Sequence, residues 1–498
     1  MSRIGKGFTL YEINSRPWLF ELREKYGADA IRTIADVPDA EIEKLKEFRV
    51  HMVWLQGVWK LGKFGLEMDK TEPGRVGAYG RVLPGFTEDD IIGSPYAVVE
   101  YVVNEDIGGD EALQEFRKKL SNRGIKLMLD LVPNHMAVDS EWMKDEEKKE
   151  YFVRKPSSGS DFNPHEFMAD GTAHGKDPYC GAWPDTAQLN YFNPALRKAM
   201  TEVLVKLASS CDGLRVDMAM LILNKCHNQC WGPVLAANGW STPPDEFWGA
   251  AIKAMRQKHP DMILMAEVYW GLDSELIELG FDATYDKALY DTTLSRHLDN
   301  LRGYIGSKSE AFLAHSTHFV ENHDEPRAVA EFGGKMNANC AAALQFALPG
   351  IRLQFHGQWA GVSKTLDVHL RRHAQEPRDE KNEQYYKRLN AILDDELFRQ
   401  GSFQMISAFD AGKGDRQVWR LTTFKWTLGA RKCIAVFNYS DEESGGHIAL
   451  DDITATDKDY KIQELLGGNE YSRNPQELKS PGLFVWLRPF GMQFFQYT

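Results

Sequence analysis

The sequence predicts an α/β protein: a closed (β/α)8 TIM barrel with an inserted loop-rich domain and a C-terminal antiparallel β-sandwich domain. Three observations predict it. Short apolar runs alternate with helical stretches over the first 400 residues, the pattern of a parallel sheet covered by helices. Charged residues stand at the ends of several of those runs, where a barrel of this kind keeps its active site. Beyond residue 400 the helices stop and short alternating strands follow one another across polar turns.

In order along the chain, residues 8–13 read as the first strand, 41–48 as an amphipathic helix and 51–56 as the second strand. A glycine-rich stretch, 57–93, is too polar and interrupted for core. A helix at 111–120 feeds a strand at 125–131. Residues 136–195 then break the rhythm with the charged run 144–150, a Pro-Ser-Ser-Gly-Ser loop from Pro156, and Pro164, Pro178 and Pro184. So long an irregular excursion in a compact domain is usually functional or a small subdomain. The alternation resumes with a helix at 196–208, a strand at 213–216, a helix at 247–258 and a strand at 262–266. Strands at 281–284, 317–321 and 351–356 complete eight. The barrel therefore comprises 1–135 and 196–400, with 136–195 inserted. After a helix at 382–397, strands at 418–422, 432–438, 460–465 and 492–497 build the last domain, 401–498.

Composition narrows the function. Of 498 residues, 43% are hydrophobic, enough for a large core, and no run approaches the length of a membrane span. The net charge of −13 argues against nucleic acid and anionic membranes as partners. The amino terminus lacks the apolar segment of a secretory leader, and the six cysteines show no disulfide-framework spacing, which together predict a cytoplasmic protein. Cys226 and Cys230 flank His227 on a predicted helix, but zinc would need further ligands nearby and none is assigned.

The chemistry is concentrated in Cys211-Asp-Gly-Leu-Arg-Val-Asp217. Arg215 and Asp217 are two residues apart, so both point to one side of a strand. Once buried, each lowers the other's desolvation cost and the arginine holds the acid ionised. A structural ion pair at a strand end is the alternative. Three further stretches repeat the pattern: Leu129 to His135 with Asp130 and His135, Leu264 to Val268 with Glu267, and Phe319 to Asp324 with His323 and Asp324. Retaining glycoside cleavage uses one ionised and one protonated carboxyl about 5–5.5 Å apart. Asp217 suits the nucleophile. Glu267 follows Met-Ala, a less charged setting in which its pKa would rise enough to donate a proton. The wide spacing of the acids calls for inserted loops, or for a skipped strand between the last two.

In order and type, these four stretches resemble the signature regions of the α-amylase superfamily, glycoside hydrolase family 13, over roughly residues 8–400. The resemblance implies the same roles for Asp217 and Glu267. It makes Asp324 the acid that binds sugar hydroxyls and stabilises the transition state. It makes His135 and His323 hydrogen-bonding partners of the sugar at the cleavage point, and Asp130 a support beneath the site. It places Tyr96 where relatives stack a tyrosine on the sugar, with core packing as the alternative. Arg327 matches an arginine of α-glucosidase-like relatives, with a surface salt bridge as the alternative. The resemblance places the insert where the family carries its domain B.

Departures are also visible. Many α-amylases follow the nucleophile with Lys-His, where this chain has Met220 and Leu221, so the leaving-group side is expected to offer apolar surface. Gln188-Leu189-Asn190 matches neither specificity motif associated with α-1,6 exo-glucosidases or neopullulanases. Asn134 matches a calcium ligand of the family, yet no Asp-rich loop completes an oxygen cage, so calcium is not predicted and no cofactor is assigned. The basic cluster His369 to His373 reads as a solvated helix face or a site for an anionic acceptor. The expected substrate is an oligosaccharide or α-glucan, cleaved by hydrolysis. Transfer of a glucosyl or maltosyl unit to sugar or phosphate is the alternative, and a non-catalytic glucan-binding protein the rival from another class.

Overall fold

In the computed structural model, residues 3–157, 162–412, 417–453 and 459–498 are described. Most of the loop that begins at Pro156 lies outside them. Eight parallel strands close into a barrel in sequence order: β1 (Phe8–Asn14), β2 (Met52–Gln56), β3 (Lys126–Leu131), β4 (Gly213–Val216), β5 (Ile263–Ala266), β6 (Ala283–Tyr285), β7 (Ser316–His318) and β8 (Ile351–Phe355). β8 returns to pair with β1. The strands are near-continuous apolar runs because helices cover the outside while side chains fill the inside. The skipped strand is β6, which stands between the ends carrying Glu267 and Asp324.

Several elements differ from expectation. A helix, Ser15–Tyr26, follows β1 directly, with Trp18, Leu19 and Leu22 buried. The glycine-rich stretch is largely structured: Trp59–Leu61 pairs with Val98–Val103, and helices Lys63–Thr71 and Pro73–Val82 stand between. Tyr79 and Leu83 from the second of these pack with Ile91 and Leu370 in a small cluster of their own. That cluster ties the excursion after β2 to the loop after β8.

The long insert contains only short regular pieces. His135–Ala137 and Thr186–Gln188 form a two-stranded ladder, in register His135 to Gln188. Val153, Phe167, Ala173 and Phe192 pack on Trp231, Val234 and Leu235 of the helix Asn224–Ala237, anchoring the insert to the barrel.

After the helices Glu380–Leu393 and Glu396–Gln400 come β9 (Ser402–Ile406), β10 (Leu421–Leu428), β11 (Arg431–Asn438), β12 (Ser444–Ile448), β13 (Tyr460–Glu464), β14 (Glu470–Arg473), β15 (Leu483–Leu487) and β16 (Met492–Tyr497). They form a six-stranded sheet in the order β9-β10-β11-β16-β13-β14 and a two-stranded partner, β12-β15. Strand alternation divides the large sheet between two cores. Phe424, Trp426, Cys433, Ala435, Phe437 and Phe494 join the barrel core, whereas Leu421, Ile434, Val436, Phe495 and Tyr497 pack with the two-stranded layer. The Trp426 indole N–H donates to the Ala347 carbonyl at 2.9 Å. The sandwich is thus asymmetric, with one face used as a brace for the barrel. Among the described residues, no helix is long and apolar enough to cross a membrane.

Candidate active site

The top inner layer of the barrel is polar. It draws Glu12 from β1, Trp54 from β2, Asp130 from β3, Arg215 from β4 and Tyr285 from β6. Asp130 and Arg215 are neighbours in the β3–β4 register. Arg215 is fully buried, 0% exposed. Its guanidinium lies 5.1 Å from the centre of the Trp54 ring, 5.3 Å from Tyr96 and 5.7 Å from Tyr285. Such flanking aromatic faces attract a cation.

Arg215 holds two carboxylates at once. Its Nη1 donates to Asp217 Oδ1 at 2.7 Å and its Nη2 to Glu267 Oε2 at 2.5 Å, while Asp130 Oδ1 is 3.6 Å from Nη1. Glu267 is therefore not in the less charged setting that its Met-Ala context suggests. Its Oε2 also accepts the Met218 backbone N–H at 2.9 Å, and its Oε1 accepts the Tyr269 hydroxyl at 2.6 Å. Met218 reaches this position by taking a left-handed conformation, φ 41°, which is uncommon for a non-glycine residue and recurs at functional sites.

Burial is what sets these acids apart. It pushes Glu267 up to about 7, with Arg215 opposing and the negative charge of Asp217 adding to the rise. Burial also raises Asp217 above its ordinary value against the pull of Arg215, and lifts Asp130 to about 6. Asp324 goes the other way. Burial pushes it up, but the positive His323 ring, 3.1 Å from its Oδ2, outweighs that and holds it below the usual range. Its side chain is 47% exposed, facing open solvent, whereas Asp217 and Glu267 are recessed.

His323 is the hinge of the second half of the site. Its Nε2 is 2.7 Å from the Tyr96 hydroxyl, which accepts the Gln56 side-chain amide at 2.7 Å. Its Nδ1 meets Glu12 Oε1 at 2.6 Å. His135 is buried with its ring 5.3 Å from Trp183, and burial depresses it to about 4, so it is neutral. Its ring hydrogen-bonds the Tyr96 backbone. Asp130 accepts the Trp54 indole N–H at 3.1 Å.

The structure thus brings together Asp217, Glu267, Asp324, Arg215, Asp130, His323 and Tyr96, with His135 against Tyr96. It does not bring Arg327 there. That guanidinium is buried on Glu321 Oε1 at 2.9 Å and the His356 carbonyl at 2.8 Å, and lies over the Phe355 ring. It is neither a ligand in the cleft nor a surface salt bridge. The reason is Glu321, a buried acid that needs a cation and also accepts the Ala328 N–H at 2.6 Å.

Other expectations also change. Met220 and Leu221 lie on the 3-10 turn Ala219–Ile222 and are buried, 0% and 1% exposed, so they offer the cleft no apolar surface. The cluster from His369 to His373 is a loop consumed by internal partners. Arg372 pairs with Asp90 at 2.7 Å, His369 with Asp367 at 3.0 Å and His373 with Glu21, while Leu370 is core. Cys226 and His227 are buried on their helix, where the His227 ring packs on Tyr191 and Phe192. All six thiols are unpaired.

The calcium position can be tested on the residues that surround Asn134. The Gln188 side-chain amide donates to the Asn134 carbonyl at 2.8 Å, to Asn134 Oδ1 at 3.0 Å and to the Leu189 carbonyl at 3.2 Å. A neutral amide nitrogen stands where those oxygens converge, and these residues do not fit a calcium ion, which takes six to eight oxygens. Among the described residues no group of three or more His, Cys, Asp or Glu is arranged to hold a metal.

Sequence reasoning missed Glu12, Gln56, Tyr269, Tyr285 and an exposed aromatic pair, Tyr179 and Trp270, whose ring centres are 5.0 Å apart. Glu12 carried a signal: an acid at the end of the apolar run Phe-Thr-Leu-Tyr. Trp270 follows Glu267 by three residues and also takes a left-handed conformation, φ 62°.

A closed parallel barrel whose strand ends gather paired carboxylates around one arginine defines the class of barrel proteins built for acid–base and nucleophilic chemistry on a polar substrate. Comparison with known proteins gives the family. The alpha-amylase catalytic-domain family model matches residues 89–419, and the chain belongs to that family. Alpha-amylase MalA of Haloarcula japonica is 23% identical over 288 residues, 55% of this chain and 38% of its own length. An alpha-glucosidase of Candida albicans is 25% identical over 296 residues, 49% of this chain and 51% of its own. The chain thus spans about half the length, or less, of these curated relatives. Among solved structures, an alpha-amylase from Lactobacillus plantarum superposes with a TM-score of 0.70 at 19% identity, covering 99% of both chains. At that identity the likeness concerns the fold.

Proposed function

We propose that this protein cleaves short α-linked glucosides or α-glucan oligosaccharides with retention of anomeric configuration, by hydrolysis. The observation that carries the proposal is the Arg215 bridge between Asp217 and Glu267. Two carboxylates held on one guanidinium fit the retaining separation of about 5–5.5 Å rather than the wider one that leaves room for a water. Their protonation fits as well: Glu267, raised to about 7, carries the proton, while Asp217, closest to the arginine, is the ionised partner.

In this reading Glu267 gives its proton to the glycosidic oxygen as the bond to the anomeric carbon breaks. Asp217 bonds to that carbon from the opposite face, forming a glycosyl ester. Glu267, now ionised, takes a proton from an incoming water, whose oxygen displaces Asp217. Asp324 and the His323 N–H groups hold the sugar hydroxyls and offset the positive charge that develops on the ring. The barrel, 1–135 and 196–400, supplies the chemistry, the insert 136–195 a wall of the cleft, and 401–498 a brace. The printed names of relatives, alpha-amylase, alpha-glucosidase and oligo-1,6-glucosidase, support the substrate class. Six unpaired thiols support a reducing, cytoplasmic setting.

One observation favours a second reading, transfer. The exposed Tyr179–Trp270 pair stands beside the loop carrying the proton donor, and aromatic faces hold sugar rings. An acceptor sugar bound there would compete with water for the ester. Product analysis with maltooligosaccharides, with and without inorganic phosphate, tests both. Glucose or maltose in every condition supports hydrolysis, lengthened or phosphorylated sugars support transfer, and no turnover of any α-glucoside overturns the proposal.

A further inference from the structure

Glu12 is unusual among the acids at the top of the barrel because it does not touch Arg215. It ends the run Phe-Thr-Leu-Tyr on β1 and is 0% exposed. Its Oε1 lies 2.6 Å from His323 Nδ1, and its Oε2 is buried without a hydrogen-bond partner. A carboxylate so placed costs several kcal/mol unless a cation answers it. The groups around this pair are Asp130 from β3, Tyr285 from β6, and Tyr96 and Glu321 from the loops after β2 and β7. None of these supplies positive charge, and the nearest guanidinium, that of Arg215, is already taken up by Asp217 and Glu267.

The ring geometry settles which charge His323 bears. Nδ1 faces a carboxylate oxygen of Glu12, and Nε2 faces a carboxylate oxygen of Asp324 at 3.1 Å. An ionised carboxylate only accepts hydrogen bonds, so both ring nitrogens must donate. A neutral imidazole has a single N–H and would set a lone pair against one of the two acids. We infer that Glu12 is a positioning residue that keeps His323 as an imidazolium, so that Asp324 stays ionised and an N–H at Nε2 points toward the cleft. The inference rests on the functional reading above for its effect on turnover, but not for the charge itself. Glu12 reaches the cleft only through His323. On this assignment the site holds a second carboxylate–cation unit, Glu12–His323–Asp324, alongside the one built on Arg215.

The test is ¹⁵N NMR of the full chain labelled at the histidine ring nitrogens, with His323→Gln used to assign the signal. In the wild-type protein at pH 8, both His323 nitrogens should be protonated. In Glu12→Gln, which keeps the shape and loses the charge, His323 should lose a proton at least one pH unit lower, and Glu12→Asp should restore part of the difference. On an aryl α-glucoside, the kcat/KM of Glu12→Gln should fall about tenfold or more relative to wild type at pH 8, as a one-unit shift requires. At pH 5.5 the two should be similar, a recovery that a merely structural role would not show. A neutral His323 in the wild-type protein at pH 8 overturns the assignment, whether or not Glu12→Gln folds. So does an unchanged titration in a folded Glu12→Gln. A Glu12-dependent charge in a protein with no glucosidase activity would support the assignment and overturn the functional reading instead.

Discussion

Arg215 and Glu267 are joined by a 2.5 Å hydrogen bond between neighbouring barrel strands, shorter than the 2.7 Å bond from the same guanidinium to Asp217. The proton donor is therefore not insulated from charge. Its raised pKa comes from burial and nearby acids working against the arginine.

This has a consequence for stability. Removing the cation leaves Asp217, Glu267 and Asp130 buried around an empty centre, and breaking a buried ion pair in this way costs about 3–5 kcal/mol. Arg215→Met should lose stability of that order in urea denaturation. A loss below about 1 kcal/mol would show that the carboxylates simply take up protons and that the bridge contributes little to the fold.

The same balance sets the pH profile. Glu267 must be protonated to donate and its pKa is about 7, so kcat/KM should fall as pH rises through about 7. Glu267→Gln should abolish that limb. It should also damage substrates with poor leaving groups far more than activated aryl glucosides, whose departure needs little protonation. Equal losses on both substrate types would move the acid elsewhere.

Trp270 and Tyr179 give a prediction about binding. Trp270 is 43% exposed and carries a strained backbone that the fold has no packing reason to keep. A sugar stacked on it would gain about 0.5–1.5 kcal/mol. Trp270→Ala should therefore raise KM for maltooligosaccharides a few-fold to about tenfold, with kcat nearly unchanged. An unchanged KM across chain lengths would remove this pair from the binding surface.

The Gln188 amide predicts indifference to chelators. A bound calcium ion would stabilise the fold in proportion to its occupancy, so EDTA would lower the melting temperature if one were present. With Gln188 donating to three oxygens around Asn134, melting curves with and without EDTA should coincide within about 1 °C. A drop of several degrees would contradict the geometric argument.

The chemistry was legible where a costly pattern repeated. Arg215 and Asp217 at i and i+2, then Glu267 and Asp324 after similar apolar runs, marked strand ends that the structure gathers around one cleft. Glu12 bore the same mark but stood alone, and nothing local linked it to His323, 311 residues away. Arg327 misled because its partner, Glu321, was hidden in the apolar run before it. Met220 and Leu221 misled because the chain turns inward after Met218, a backbone choice that side-chain types do not announce. β12, Ser-Gly-Gly-His-Ile, has little strand propensity. It forms because its glycines let Val418 pack close, and a Cβ at Gly446 would collide with that side chain.

The central claim is that Asp217 forms a covalent ester with the sugar, so that the product keeps its configuration. The most direct measurement is the anomeric proton signal of the first-formed product, read by ¹H NMR within seconds of adding maltotriose, before mutarotation. The account predicts the α anomer first, and predicts that Asp217→Asn, folded as judged by circular dichroism, loses several orders of magnitude in turnover. The β anomer appearing first, or near-normal turnover in Asp217→Asn, would contradict it.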